Sequence, residues 1–253
     1  MSSRRSTTGI DVTEEFPHLK NAPVVEAVVE WRGEPGVEME VEPLLDRLKE
    51  RFPKYVIQPI HDVEARIAGT DSGVEVAKRS QHTGYRLVSE DGCIVCQLRR
   101  NAVAVSRLAP YMGWEGFLRE AAAFRDVFID WLAPRQFSRL GVRSINKIAV
   151  SPRKSIEKIV QGAPSPWKSF GLKSSTFFHQ DTILWPDSPY GVRLVRAMDV
   201  EGESKSKVLF IDIDITLEDS TSLEEADDRM AEMRFLKNRV FFSTVRDAEK
   251  QFG

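Results

Sequence analysis

Arg135 to Val150 reads RQFSRLGVRSINKIAV, and its two-residue alternation decides the fold. In an extended chain, alternate side chains point to opposite faces. Ser138, Leu140, Val142, Ser144, Asn146, Ile148 and Val150 therefore share one side, which is expected to face the core. Phe137, Arg139, Gly141, Arg143, Ile145, Lys147 and Ala149 share the other, a mixture of cationic, small and apolar groups. Asn146 interrupts the core row, and a buried amide without partners costs about 1–3 kcal/mol. Two readings follow. In one, Asn146 and Ser144 tie a bulge or a neighbouring loop into the sheet. In the other, Arg139, Arg143 and Asn146 line a binding cavity.

Before this stretch, Gly113 to Leu132 carries Trp114, Phe117, Ala121, Phe124, Phe128 and Trp131 at three- and four-residue steps, the pattern of an amphipathic helix, which Pro134 stops. Further upstream, NAPVVEAVVEWR (Asn21 to Arg32) alternates as a strand with Val25, Ala27, Val29 and Trp31 on one face. Glu26 lies among valines on the other face, and is expected at a solvated edge or paired with an arginine. Pro43 opens a helix over LLDRLKERF. Between Tyr55 and Leu108 the pattern predicts strands near 55–60, 63–68, 74–79, 84–89, 93–99 and 102–107, with Ser89-Glu90-Asp91-Gly92 as a hairpin turn.

Beyond the central stretch, Ser151-Pro152 predicts a short helix through about Gln161, and GAPSPWKSFG (Gly162 to Gly171) reads as a loop. Strands are expected over Leu172 to Asp181, Tyr190 to Val200 and Lys207 to Leu217. Ser222 with Glu225 forms a capping box that opens a last helix carrying Met230, Met233, Leu236 and Val240 on one face. The element order predicts an α+β protein, a large antiparallel sheet with helices packed on one face, arranged as two similar halves. The expected organisation is a flexible tail over 1–15, one half over 16–161, a loop at 162–171 and a second half over 172–253, or one continuous domain.

The 253 residues carry 36 Lys plus Arg against 38 Asp plus Glu. That balance demands neither nucleic acid nor an anionic membrane. The opening MSSRRSTTG lacks the apolar run of a signal peptide, no stretch approaches the roughly 20 apolar residues of a membrane span, and a cytoplasmic location is expected. Two cysteines provide no disulfide framework.

Cys93 and Cys96 are spaced as half a metal knuckle, but a three-residue offset on a strand sends the thiols to opposite faces, and buried thiols acting as small hydrophobes is the reading preferred here. His18, His61, His82 and His179 have no metal-ligand spacing. Asp212 and Asp214 in FIDIDI share a strand face; they fit a solvated outer face, or a divalent cation if Asp199 or Glu201 supplied a third ligand. No dinucleotide, P-loop or serine-hydrolase motif is present, and no cofactor is expected. Arg99, Arg100, Arg135, Arg139, Arg143 and Lys158, with Arg153-Lys154, could form a basic surface, with Tyr111, Trp114 and Trp167 as stacking planes for single-stranded nucleic acid.

The segments FPHLKNAPVVEAVVEWR, LAPYMGWEGF and RLGVRSINKIAVSP together resemble a sporadically distributed bacterial family of similar length without an assigned function. The resemblance carries over no catalytic residues and implies a patchy distribution suited to mobile or defence loci. The leading expectation is a non-enzymatic accessory or chaperone-like partner in a bacterial defence assembly, anti-phage or CRISPR-associated, bound to another protein of the same locus. An exposed sheet edge or apolar helix face could also serve a homodimer. The alternatives are a metal-dependent hydrolase or nuclease using Asp212 and Asp214, and a nucleic-acid or small-ligand binder using Arg139, Arg143 and Asn146.

Overall fold

In the computed structural model the β-branched, alternating segments pair into a nine-stranded antiparallel sheet, covered on one face by helices. The structure describes residues 10, 12–36, 40–70, 73–151, 155–162, 171, 175–185, 188–201 and 206–253, with the backbone alone for 64–70 and 73–79. The first half comprises β1 (Val24–Arg32), α1 (Leu44–Arg51), β2 (Tyr55–Thr70), β3 (Gly73–Ser89), β4 (Ile94–Arg99), β5 (Ala102–Leu108) and α2 (Trp114–Leu132). The second comprises β6 (Arg139–Val150), β7 (Phe177–Leu184), β8 (Tyr190–Glu201), β9 (Ser206–Leu217), α3 (Ala226–Thr244) and the short α4 (Ala248–Phe252).

The strand order is β2-β3-β4-β5-β1-β6-β9-β8-β7. Each half starts at the sheet centre with β1 or β6, crosses to the outside, and meanders back until β5 or β9 pairs with its own first strand. A helix, α2 or α3, then closes over the inner face. The α+β architecture expected from the sequence is present, and in this layout the repeat begins anew at β6.

Leu140, Val142, Ser144, Asn146, Ile148 and Val150 are all buried, as alternation requires. The alternation fails only at the entry to β6. There Phe137 is fully buried and Ser138 exposed, the reverse of expectation. Phe137 bridges Thr221 through paired backbone hydrogen bonds of 2.8 and 2.9 Å, and the chain bends before regular pairing begins at Arg139.

The strands expected at 55–60, 63–68, 74–79 and 84–89 are two long ones, β2 and β3. The polar stretch around His61 and His82 does not end them; it is absorbed by a bulge between Ile60 and His61. The Ser89 to Gly92 turn forms as expected, with the Gly92 N–H donating to the Ser89 carbonyl at 2.9 Å and Gly92 at φ +69°. Of the helix expected after Ser151, residues 152–154 lie outside the described ones and the rest is a single 3-10 turn, Ile156–Lys158. The last helix starts at Ala226, although the Ser222 hydroxyl does accept the Glu225 N–H at 3.2 Å. Packing reaches into the expected tail, since Ile10 is buried and Val12 lies against the core. Residues 163–170 of the expected loop and Trp167 with them lie outside the described residues.

The core beneath α2 is aromatic. Phe124, 2% exposed, stacks on Phe52 with centroids 4.2 Å apart and meets Tyr55 edge-on at 5.5 Å. Phe124→Ala should therefore cost about 3–5 kcal/mol in urea unfolding, whereas Phe178→Ala, at a side chain 71% exposed, should stay within about 0.5 kcal/mol.

Candidate functional site

The two faces of β6 do different things. Its inner face carries Ser144 and Asn146, 3% and 2% exposed, beside the centre line where β1 and β6 pair. The Asn146 amide donates to the Ile211 carbonyl of β9 at 3.0 Å and more weakly to the Ser144 hydroxyl at 3.4 Å. Directly opposite, β1 slips register between Val24 and Glu26. The bulge expected beside Asn146 is thus present, and the amide reaches across to β9. Among the described residues, the Asn146 side-chain oxygen accepts no hydrogen bond and the Ser144 hydroxyl donates none.

Both side chains form the floor of a cavity of about 520 Å³. Its walls are the segment leading into β1 (residues 16–24), the turn into α2 (Tyr111 to Glu115), and one face of α3. Sequence explains each wall. Phe16 stacks on Phe242 at 5.4 Å, pinning the leading segment to α3, and the Lys147 N–H donates to the Pro23 carbonyl at 2.8 Å, tying it to the sheet. Gly113 turns the chain at φ +99°, a conformation that disfavours any side chain, and so brings Tyr111 and Trp114 to the rim. Burial pushes the Tyr111 phenol up to about 12, so it remains a neutral donor.

Lys237 is the unexpected member. It falls four residues after Met233 and seven after Met230, inside the apolar stripe of α3, and that misplaced charge is the sequence signal that could have revealed it. The side chain is half-buried, lines the cavity, and has no carboxylate or hydrogen-bond acceptor among the described residues. Its neighbour Arg234 is already engaged, paired with Glu115 at 2.6 Å and lying over the Trp114 ring at 5.8 Å. Burial, reinforced by Arg234, lowers the Lys237 pKa to about 8.

The outer face of β6 is a charge ladder. Arg143 grips Asp212 of β9 with two hydrogen bonds of 2.8 and 2.7 Å, and Arg193 of β8 reaches Asp214 at 3.0 Å. Arg139 pairs with Glu30 of β1 and, at 2.7 Å, with Glu218. The hydrogen bonds that Arg143 donates to Asp212 hold the Arg143 pKa above its ordinary value, and the carboxylate of Glu26 adds to that field. Glu26 itself sits inside the sheet, opposite Leu108 and Ile145, not at an edge.

This geometry separates residues that the sequence reading grouped. Arg139 and Arg143 cannot line one cavity with Asn146, because odd and even positions of β6 face opposite ways. Asp212 and Asp214 do share a face, with Ile211, Ile213 and Ile215 buried behind them, but guanidinium groups occupy both oxygens of Asp212 and one of Asp214. Of the proposed third ligands, Glu201 pairs with Lys147 at 2.6 Å, and Asp199 accepts the Val200 N–H. The outer-face arginines are matched by carboxylates, which leaves little free positive charge there for a phosphate backbone.

Cys96 is buried and its thiol is pushed well up by burial, while Cys93 is only partly buried and donates to backbone oxygens. His61 stacks on His82, and His179 pairs with Asp181 at 3.3 Å. His18 alone among the histidines lines the cavity. Among the described residues, no three His, Cys, Asp or Glu side chains converge as metal ligands, and no helix is long and apolar enough to cross a membrane. No protein-family model matches the chain, and no curated protein matches it in sequence.

Two stability measurements check this description. The desolvated Lys237 ammonium is a burden on the fold wherever both native and unfolded chains hold the proton, below pH 8. Between about 8 and the ordinary 10.5 the unfolded chain binds more protons, so stability rises with pH there. Lys237→Met should therefore gain about 1–2 kcal/mol at pH 7, a gain that shrinks across that window in denaturant titrations. Arg143→Ala should lose about 1–3 kcal/mol, because it strands the half-buried Asp212 carboxylate, and a double-mutant cycle with Asp212→Ala should return a favourable coupling.

Proposed function

We propose that this chain is a non-catalytic binding protein whose ligand occupies the cavity between β6, α3 and the 16–24 segment. One observation carries the reading: the polar side chains of Ser144 and Asn146, on the inner face of a central strand, line a space of about 520 Å³ together with Lys237, which has no ion-pair partner among the described residues. A central strand ordinarily fills its inner face with apolar side chains, since a buried polar group without a partner is costly. The Ser144 hydroxyl, the Asn146 carboxamide and the Lys237 ammonium together offer a ligand polar contacts that the described residues do not fully take up. Volumes of 300–1,000 Å³ are typical of small-molecule sites.

Binding is preferred over turnover because the cavity walls offer no carboxylate free of an ion pair, Glu115 being held by Arg234, and because the exposed His18 is positioned by no hydrogen bond among the described residues. General acid–base chemistry usually needs a positioned proton acceptor. In this reading the chain serves as an accessory partner in a bacterial assembly, the setting that the family resemblance implies.

Native mass spectrometry of the protein purified gently from its own host tests the reading. A small-molecule adduct is expected on the natural chain and should be absent from Asn146→Leu, a substitution of similar volume that removes the amide. An adduct that survives the substitution, or a natural chain that carries none, would contradict it.

A further inference from the structure

We propose that the ligand is a small hydrophobic carboxylic acid, its carboxylate against Lys237 and the Ser144 hydroxyl and its apolar body against Trp114 and Phe241. The inference rests on the cavity being the binding site and goes on to name the class of molecule it takes.

Charge sets the sign of the ligand. The cavity is lined by Lys20, Arg234 and Lys237 against the single carboxylate of Glu115, which Arg234 neutralises. A neutral ligand would leave the Lys237 ammonium desolvated and unpaired, whereas an anion supplies the missing counter-charge in a partly buried site, where such pairs are worth most.

Donor geometry sets the kind of anion. Phosphate groups are favoured by guanidinium forks, which meet them bidentately. The arginine at this site is committed to Glu115 and to the face of Trp114. What remains on the inner wall is the Lys237 ammonium and the Ser144 hydroxyl, with Lys20 exposed at the rim. A monoanion with two acceptor oxygens matches that set, one oxygen for the ammonium and the other for the hydroxyl. Beside the polar His18, Tyr111 and Asn238, part of the wall is apolar, with Trp114 and Phe241 each 7% exposed and Phe16 stacked on Phe242, and this part receives the apolar body of the molecule.

The test is calorimetric titration of the full chain with three probes that share one body: octanoate, 1-octanol and octyl phosphate, at pH 7. Octanoate is expected to bind at least 10-fold more tightly than octanol, and octyl phosphate no more tightly than octanoate. Lys237→Gln should abolish the preference for octanoate over octanol while leaving octanol affinity unchanged. The variant removes a destabilising charge, so loss of folding is not the expected cause of weaker binding, and circular dichroism checks this. Equal binding of octanol and octanoate, or a preference that survives Lys237→Gln, would overturn the carboxylate inference and leave the cavity standing as a site for another ligand. Octyl phosphate binding 10-fold more tightly than octanoate would replace the carboxylate by a phosphate. Binding of none of the three would remove both the inference and the cavity reading on which it rests.

Discussion

A strand at the centre of a wide sheet is hemmed in on every side: both its edges must be hydrogen-bonded, and both its faces must be made compatible with what covers them. β6 is that strand, flanked by β1 and β9 in the join between the two halves. Its outer face meets the constraint by ion pairing across strands, through Arg139 and Arg143. Its inner face meets it with Leu140, Val142 and Ile148 beneath the helices, except at Ser144 and Asn146. The exception falls where β1 slips register between Val24 and Glu26, opposite Asn146, and where the leading segment runs from α3, at Phe16, to the sheet, at Pro23. The cavity is the space that this departure leaves.

Magnitudes decide how the two polar sets should be weighed. The outer ladder is half-buried and closed upon itself, each carboxylate facing a guanidinium, so it contributes modestly to stability and asks for no further partner. The inner set is more expensive. A desolvated ammonium opposes folding, and a chain of this size has only about 5–15 kcal/mol of net stability to set against it. Groups that cost stability and remain in place are commonly those that function requires.

The architecture was readable because periodicity is strong in this chain. The alternation of NAPVVEAVVEWR and of Leu140 to Val150, and the aromatic stripe of α2, each survive into the structure with the expected face buried. The misread places are those where local pattern competes with long-range pairing. β2 and β3 run through polar residues because each supplies the other's hydrogen bonds, a fact that no window of one strand contains. Phe137 changes sides because Thr221, more than eighty residues later, captures its backbone.

The candidate site was half legible. Asn146 stood out as an amide in an apolar row; the structural tie is present in its hydrogen bond to Ile211, and the side chain lines a cavity that neither Arg139 nor Arg143 shares. Grouping it with Arg139 and Arg143 ignored the parity of the strand. Lys237 was passed over because a single lysine in a helical stripe resembles a snorkelling surface residue until the elements around it are placed. Everything proposed for the site turns on that ammonium being both desolvated and unpaired. Nitrogen-15 NMR titration of the Lys237 side chain in the ligand-free protein tests this most directly: a pKa near 8 is expected, and an ordinary value near 10.5 would mean that the group is solvated or paired and that the cavity lacks the unmet charge on which the account depends.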